Sequence, residues 1–359
     1  MKLPGFQFEK NIPLARTLPA QWYTDAEVFE REKTQIFGRT WQLVGRTEQA
    51  ASAGDYFTAD IAGEPVIVAR GHDNKLRALS NVCRHRAGPV AEGKGNRKLF
   101  QCSYHGWTYQ LDGRLLGTPD FEGPECFVDQ AGDLPLFQVD TWGPLIFVKL
   151  EPGGPSLAEF LEDLPARIGR SDWSAMQPVA RKDWYIECNW KVYVDNYLEG
   201  YHIPIVHPSL YREIDYSRYR TETRRYYSIQ HSPIRRSGTR IAVDQSQPEN
   251  EAQYFWIFPN LMLNFYPDNF STNLIVPLEP GRTLTVFEWY FRNPELPETK
   301  QALTRTVEFS DEIQIEDIDV CQSVQRGLRS RHYTSGPYSP QRENGVHHFH
   351  GLLHEFYTK

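Results

Sequence analysis

Two short stretches of the chain combine thiol and imidazole side chains at a spacing that metal centres use. Cys83-Arg84-His85 is followed, after 16 residues, by Cys102-Ser103-Tyr104-His105. Each pair ends an apolar, strand-like run and enters a loop with a glycine, Gly88 or Gly106. Two loops of this kind can deliver their ligands to one point. A zinc ion held by two Cys and two His fits that ligand set, and so does a [2Fe–2S] cluster in which two Cys hold one iron and two His the other. Zinc-finger spacings pair Cys with Cys and His with His. Here each loop supplies one of each, which favours the cluster. Such a centre passes electrons singly, and its His ligands raise its potential above that of an all-Cys cluster. Gly106 and Trp107, just after the second His, allow close backbone approach and a shielding ring.

A second constellation lies further on. Trp190–Tyr201, WKVYVDNYLEGY, has apolar residues at helical spacing, so a helix is predicted there. Asp195, Glu199 and His202 are four and three apart and would share one face of it. Pro204 would end it, and His207 must then fold back to meet His202. Two His plus one carboxylate, with open coordination positions, is the ligand set of non-haem Fe(II) oxygenases. The carboxylate is open: Asp195, Glu199 and the acidic run Asp311–Asp319 all qualify. In a predicted helix from Glu298 to Ser330, the residues Ile313, Val320, Val324 and Leu328 form an apolar stripe. Asp317 falls on it, and a carboxylate on a buried stripe needs a cation or a donor. Glu316 is nearly as well placed, so periodicity leaves both. A single-electron centre gains a purpose if it feeds an oxygen-activating iron.

The elements that must position these residues divide into two parts, as 359 residues suggest. Residues 1–40 read as an arm with a short helix, Asp25–Phe37. Residues 41–150 read as a small all-β domain of short runs punctuated by Gly, Pro and Asp. Glu151–Ser156, EPGGPS, reads as a linker into a helix capped by Ser156 with Glu159 three residues on. Residues 151–359 form the second domain. Strands are predicted at Tyr226–Gln230, Tyr254–Phe258, Leu261–Tyr266, Asn273–Pro277 and Thr283–Phe291; with the long helix they make an α+β antiparallel fold. A net charge of −7 argues against nucleic acid. No apolar run approaches 18 residues, so no membrane span is expected. The first residues lack the apolar core of a secretory signal. Five Cys, an odd number, point to a reducing compartment and a cytoplasmic protein.

The first motif looks like that of the α-subunits of Rieske non-haem iron oxygenases. Glu199-X₂-His202-X₄-His207 resembles their mononuclear iron motif. The resemblance runs from about Trp22 to Phe356. Pro259-Asn260-Leu261-Met262, Glu316-Asp317-X₂-Val320-Cys321, Ser323-Val324-Gln325-Arg326-Gly327-Leu328 and His347-His348-Phe349-His350 resemble the branch of choline monooxygenase and the carnitine and betaine oxygenases. The resemblance implies a Rieske β domain and a helix-grip-like catalytic domain. It implies Cys83, His85, Cys102 and His105 on the [2Fe–2S] cluster, and His202, His207 and Asp317 on the mononuclear Fe(II). It implies Glu199 as the acidic link between a cluster ligand and an iron ligand across a subunit boundary, where many relatives have Asp. It implies a homo-oligomer, commonly a trimer. Its electrons come from NAD(P)H through a separate flavin- or ferredoxin-type reductase. Glu199 is three residues from His202, so it can also orient that ring.

For the substrate, aromatics flank the iron motif: Tyr193, Tyr197 and Tyr201, then Tyr254, Phe255, Trp256 and Phe258. Aromatic faces hold a trimethylammonium group well, which suits oxidation of choline, carnitine or a betaine, by hydroxylation or N-demethylation. The same rings suit an aromatic-ring hydroxylase, and a pure electron carrier or a zinc protein stands further off. The remaining histidines His347, His348, His350 and His354 are expected to pack rather than bind metal.

Overall fold

The computed structural model describes residues 5–122, 132–168, 173–235, 240–243 and 250–358. They form two compact units, Phe37–Glu159, and Met1–Ile36 together with Phe160–Lys359. No helix among the described residues is long and apolar enough to cross a membrane.

Among its described residues the Phe37–Glu159 unit has ten strands: β1 (Gln42–Arg46), β2 (Asp55–Ile61), β3 (Glu64–Arg70), β4 (Leu76–Ser80), β5 (Lys94–Asn96), β6 (Phe100–Gln101), β7 (Thr108–Tyr109), β8 (Leu115–Gly117), β9 (Leu136–Trp142) and β10 (Leu145–Lys149). They pair antiparallel in the orders β1-β10-β9-β4-β3-β2-β5 and β6-β7-β8. The small sheet carries the second Cys/His loop between β6 and β7; the first loop follows β4. Cys83, Cys102, Trp107 and Tyr109 share one core with Ile67, Leu79 and Phe100. The segment read as a linker is bonded to this unit. The Glu151 N–H donates to Gly38 O at 2.8 Å, and Pro155 O accepts from Trp41 Nε1 and Lys149 Nζ. The unit therefore ends after Glu159, not at Leu150. Ser156 and Glu159 bond each other reciprocally at the start of the helix Leu157–Leu161.

The other unit is built on β11 (Gln177–Ile186), β12 (Arg220–Thr223), β13 (Tyr227–Ile234), β14 (Asn250–Ile257), β15 (Leu261–Phe265), β16 (Asn269–Glu279) and β17 (Arg282–Phe291). They form one antiparallel sheet, β11-β17-β16-β15-β14-β13-β12. Four helices matter here: α1 (Ala26–Glu32), α2 (Trp190–Tyr197), α3 (Pro297–Leu328) and α4 (Asn344–Thr358). The architecture is the α+β antiparallel one expected. Strands β11 and β12 escaped the sequence reading because both are edge strands, and charges such as Arg181, Lys182, Asp183 and Glu222 interrupt any apolar pattern. Helix α1 is capped by Asp25, whose carboxylate accepts the Glu27 N–H at 2.8 Å. It ends at Glu32 and continues as one wider turn to Phe37.

A fully buried ion pair ties α1 to α2. Lys191 bonds Glu32, and both side chains are sealed from solvent. Trp190 Nε1 and the Tyr357 hydroxyl also donate to Glu32, each at 2.7 Å. Three donors thus satisfy one buried carboxylate and join α1, α2 and α4. Burial pulls the Lys191 pKa down, and Glu32 opposes it. Removing only one charge strands the other, which costs about 3–5 kcal/mol. Lys191→Met should therefore lower the melting temperature by about 10 °C. Lys191→Met with Glu32→Leu should recover most of that loss; calorimetry of the three proteins checks both.

Candidate metal centres

The two Cys/His loops share one local geometry. In the first, the Cys83 N–H donates to Gly88 O and the Ala87 N–H to Cys83 O; in the second, the Cys102 N–H donates to Trp107 O and the Gly106 N–H to Cys102 O. The fourth residue after each Cys is left-handed, Ala87 at φ 58° and Gly106 at φ 73°. Glycine adopts that conformation freely, whereas Ala87 does so at a cost that the surrounding loop must over-determine. The two turns bring buried Cys83 and Cys102 together with the rings of His85 and His105, whose centroids are 4.5 Å apart.

This donor set fits a cluster on three counts. His85 Nδ1 is buried and has no hydrogen-bond partner among the described residues, an orphan that a metal would satisfy. A Cβ on Gly88 would stand 3.2 Å from Cys102 Sγ, a tight contact, so a residue without one leaves the sulfur room. Trp107 stacks on His85 at 5.0 Å and nearly parallel, which shields that ring. Tyr109, which sequence reasoning missed, lies with its hydroxyl 3.2 Å from Cys83 Sγ and accepts the Arg84 N–H. Burial and the neighbouring Cys83 sulfur raise its pKa, so it stays a neutral donor.

The second set is tighter. Ligand atoms of His202, His207 and Asp317 all lie within 4.8 Å of one another. Asp317 Oδ1 is 3.0 Å from His207 Nε2 and 3.8 Å from His202 Nε2. Each ring's other nitrogen faces a carboxylate: His202 Nδ1 lies 2.6 Å from Glu199 Oε1, and His207 Nδ1 lies 2.6 Å from Glu316 Oε2. A carboxylate only accepts, so each Nδ1 carries the proton, and a metal set between the two Nε2 atoms and Asp317 would take the Nε2 lone pairs. Asn196 donates to Asp317 Oδ1 at 2.6 Å and fixes that carboxylate. Burial lowers the pKa of His207, but Asp317 and Glu316 outweigh it and the net direction is upward. Three carboxylates around two imidazoles leave an excess of negative charge that a divalent cation balances.

The local path of the chain differs from the expected one. Helix α2 stops at Tyr197, so Glu199 and His202 lie beyond it. Glu199 instead folds over a turn, accepting the N–H groups of Tyr201 and His202. Gly200 is required there, since a Cβ would meet the Tyr219 ring at 2.6 Å. Pro204 sits in the first turn of a new short helix, Ile203–Val206, whose C-cap is His207. Asp195 is still on α2 and faces elsewhere: it accepts from Tyr23 and lies 2.9 Å from His350. Asp317 and Glu316 are adjacent on α3 and take different parts, one meeting both Nε2 atoms and the other clasping His207 Nδ1.

Beside this trio lies a cavity. One row across the sheet floors it: Gln230, Tyr254, Asn264, Ser271 and Trp289 are register neighbours on β13 to β17. Tyr193, Tyr197, Tyr219 and Tyr266 add rings, and burial raises the pKa of each phenol, which keeps them neutral. Tyr193 and Tyr197, two of the expected substrate-pocket residues, line this cavity. Four of the other aromatics do not line it. Phe255 is one strand step from Tyr254 and so points to the opposite face, against Phe265. Trp256 and Phe258 pack on Phe349 of α4, and Tyr201 is 58% exposed. The C-terminal histidines are spread out: His347 bonds Glu9 O, His350 bonds Tyr338 and Asp195, and His354 packs on Phe6. Burial pushes His348 down to about 4.

Comparison with known proteins agrees with this two-centre reading. Residues 40–134 match the Rieske [2Fe-2S] domain, and residues 173–359 match the ring hydroxylating alpha subunit catalytic domain. The chain is 36% identical to the chloroplastic choline monooxygenase of Arabidopsis thaliana, over 97% of this chain and 85% of that one. It is 31% identical to the carnitine monooxygenase oxygenase subunit of Acinetobacter pittii, over 98% and 97%. A solved quaternary ammonium Rieske monooxygenase superposes with a TM-score of 0.85 at 29% identity, covering 96% of each chain. Naphthalene 1,2-dioxygenase from Rhodococcus sp., at 20% identity and TM-score 0.76 over 95% and 94%, shares the fold. The chain therefore belongs to the Rieske non-haem iron oxygenases, in their monooxygenase family with the choline and carnitine enzymes, whose members use a [2Fe–2S] cluster, a mononuclear iron and electrons from a reductase.

Proposed function

We propose that this oxygenase oxidises a small quaternary ammonium compound, by hydroxylation or N-demethylation. The observation that carries the reading is the cavity beside the His202–His207–Asp317 trio, walled by neutral phenols and amides. A trimethylammonium group presents a diffuse positive charge and no hydrogen-bond donor. Aromatic faces stabilise it by roughly 0.5–2 kcal/mol each. The names of the choline and carnitine relatives support the same substrate class.

In this proposal Cys83, His85, Cys102 and His105 hold the cluster, and His202, His207 and Asp317 hold the iron. When bound, the iron supplies oxygen activation and the cluster supplies single electrons. Glu316 and Glu199 hold the two rings in one tautomer, and Asn196 holds Asp317. Glu199 also carries a proton toward or away from His202 Nδ1 as the charge nearby changes. It is proposed as the link to a cluster ligand of a second subunit in a homotrimer. Electrons come from NAD(P)H through a flavin- or ferredoxin-type reductase, and the cytoplasm is the proposed location.

Oxygen uptake with a reductase and NADH should rise with choline, carnitine and betaines by at least about tenfold over aromatic acids, a difference of about 1.4 kcal/mol. Formaldehyde release then marks demethylation and an aldehyde marks oxidation of an alcohol carbon. Turnover confined to aromatic acids would overturn the reading. His202→Ala should keep the brown cluster spectrum, lose the mononuclear iron by elemental analysis and abolish turnover. Glu199→Gln should keep both metals, while turnover falls about 10–100-fold. The Tyr109 hydroxyl donates to a sulfur, and one such bond is worth roughly 0.5–1.5 kcal/mol. Tyr109→Phe should therefore lower the cluster potential by about 20–60 mV for one electron, measured by redox titration.

A further inference from the structure

Helix α4 supplies no side chain to the His202–His207–Asp317 trio and, among the described residues, none to the cavity lining. It nevertheless grips the segment that carries the site. Gly345, in its first turn, lies so close to the end of α2 that a Cβ there would stand 2.3 Å from Leu198 O. Further along α4, His350 is fully buried, and its Nε2 lies 2.9 Å from Asp195 Oδ1 on α2.

For a neutral imidazole the protons around His350 are fixed. The Tyr338 hydroxyl, 2.6 Å away, donates to Nδ1, so Nε2 carries the hydrogen and donates it to Asp195 Oδ1. The Tyr23 hydroxyl donates to Asp195 Oδ2 at 2.6 Å. Each oxygen of Asp195 thus has one donor. Burial, with the nearby Asp195 charge, raises the pKa of both phenols, so both keep their hydrogens. Lys191 stands four residues before Asp195 on the same face of α2 and bonds Glu32. That face of the helix is therefore pinned twice.

The rest of α2 reaches the iron site. Tyr193 bonds Gln314, and Asn196 donates to Asp317 Oδ1 at 2.6 Å. Helix α2 has eight residues, too few to hold a conformation or an orientation unaided, so its rotation is set by what its side chains bond. Asp195 and Asn196 are adjacent and about 100° apart around its axis. Side-chain atoms lie roughly 5–6 Å from the axis, so a turn of about 20° moves the Asn196 amide by about 2 Å. That displacement is enough to spoil its bond to Asp317.

We propose that His350 is a positioning residue for the iron site: by holding Asp195 it fixes the rotation of α2, and α2 in turn presents Asn196 to Asp317. This rests on the reading of His202, His207 and Asp317 as iron ligands. The influence of His350 passes through Asn196, so it should vanish where Asn196 has no amide. Gly345 serves the same end, since it lets α4 approach closely enough for His350 to reach Asp195.

The test is the Kd of the mononuclear ferrous iron in the anaerobic holoenzyme, measured by competition with a ferrous chelator while the cluster spectrum is followed in the same sample. Asn196→Ala should weaken iron binding about 10–100-fold, the usual cost of losing a group that orients a metal ligand. His350→Phe, which keeps a ring but neither nitrogen, should weaken it about tenfold and leave the cluster spectrum unchanged. The two changes together should weaken binding by less than about twofold beyond Asn196→Ala alone, because both act on one bond. The EPR signal of the ferrous site with nitric oxide should shift alike in the two single variants. Where His350→Phe does not fold, Tyr338→Phe frees the same ring by removing one hydroxyl. It should weaken iron binding about threefold alone and add nothing to Asn196→Ala. Unchanged iron binding in His350→Phe or its substitute Tyr338→Phe, or effects that multiply in the double variant, would overturn the coupling and leave the ligand assignment standing. A wild-type protein holding no iron beyond that of its cluster would overturn the ligand assignment itself.

Discussion

An imidazole has two nitrogens, and this protein fixes both on His202 and on His207. Glu199 holds Nδ1 of His202, Glu316 holds Nδ1 of His207, and Asp317 faces both Nε2 atoms. Neither histidine can turn without breaking a charge-assisted bond, so the ligand directions exist before a metal arrives. Three elements must be held in register for that: the turn after α2, the C-cap of a four-residue helix, and the middle of α3. The unit around them is largely the means of doing so. Tyr193 bonds Gln314 and Asn196 bonds Asp317, which couples α2 to α3. The buried Glu32–Lys191 pair then anchors α2 from its other side.

The motif residues were legible because metal ligation constrains residue type and spacing at once. No periodicity argument could say that Glu316 turns to Nδ1 while Asp317 turns to Nε2. Adjacent helical positions diverge by about 100°, and only the packing of His207 decides which carboxylate it meets. The expected helix through Tyr201 failed for a related reason. Apolar spacing continues past Tyr197 through Leu198 and Tyr201, but Gly200 must lie against the Tyr219 ring, a contact 19 residues away that the local pattern does not contain. The long helix α3 was read nearly end to end, although the stripe from Ile313 to Leu328 covers only about four of its turns.

The aromatic residues divide the same way. Tyr193 and Tyr197 were placed at the cavity because they stand on α2 beside the ligand motif. Phe255 and Trp256 were equally near it in composition, yet β14 sends its side chains to alternate faces and α4 covers its far end. The cavity floor itself is a row of five residues from five strands, spread from Gln230 to Trp289. Such a row exists only through register, which one sequence does not display. Tyr109 and Asn196, both bonded to ligand side chains, carried no motif signal for the same reason.

The two centres differ in how their charge is handled, and this bears on what each can do. At the Cys/His loops the Cys83 sulfur faces a neutral phenol, and the backbone geometry is repeated in two matching turns. At the second set, three carboxylates and two imidazoles share one small volume, so a change in the charge at its centre must be answered by proton movement nearby. Of that group, Glu199, His202, His207 and Asp317 all border the cavity. A positively charged substrate entering there meets the carboxylate that orients His202. Under the proposed function, substrate binding therefore changes the charge balance around His202 and His207.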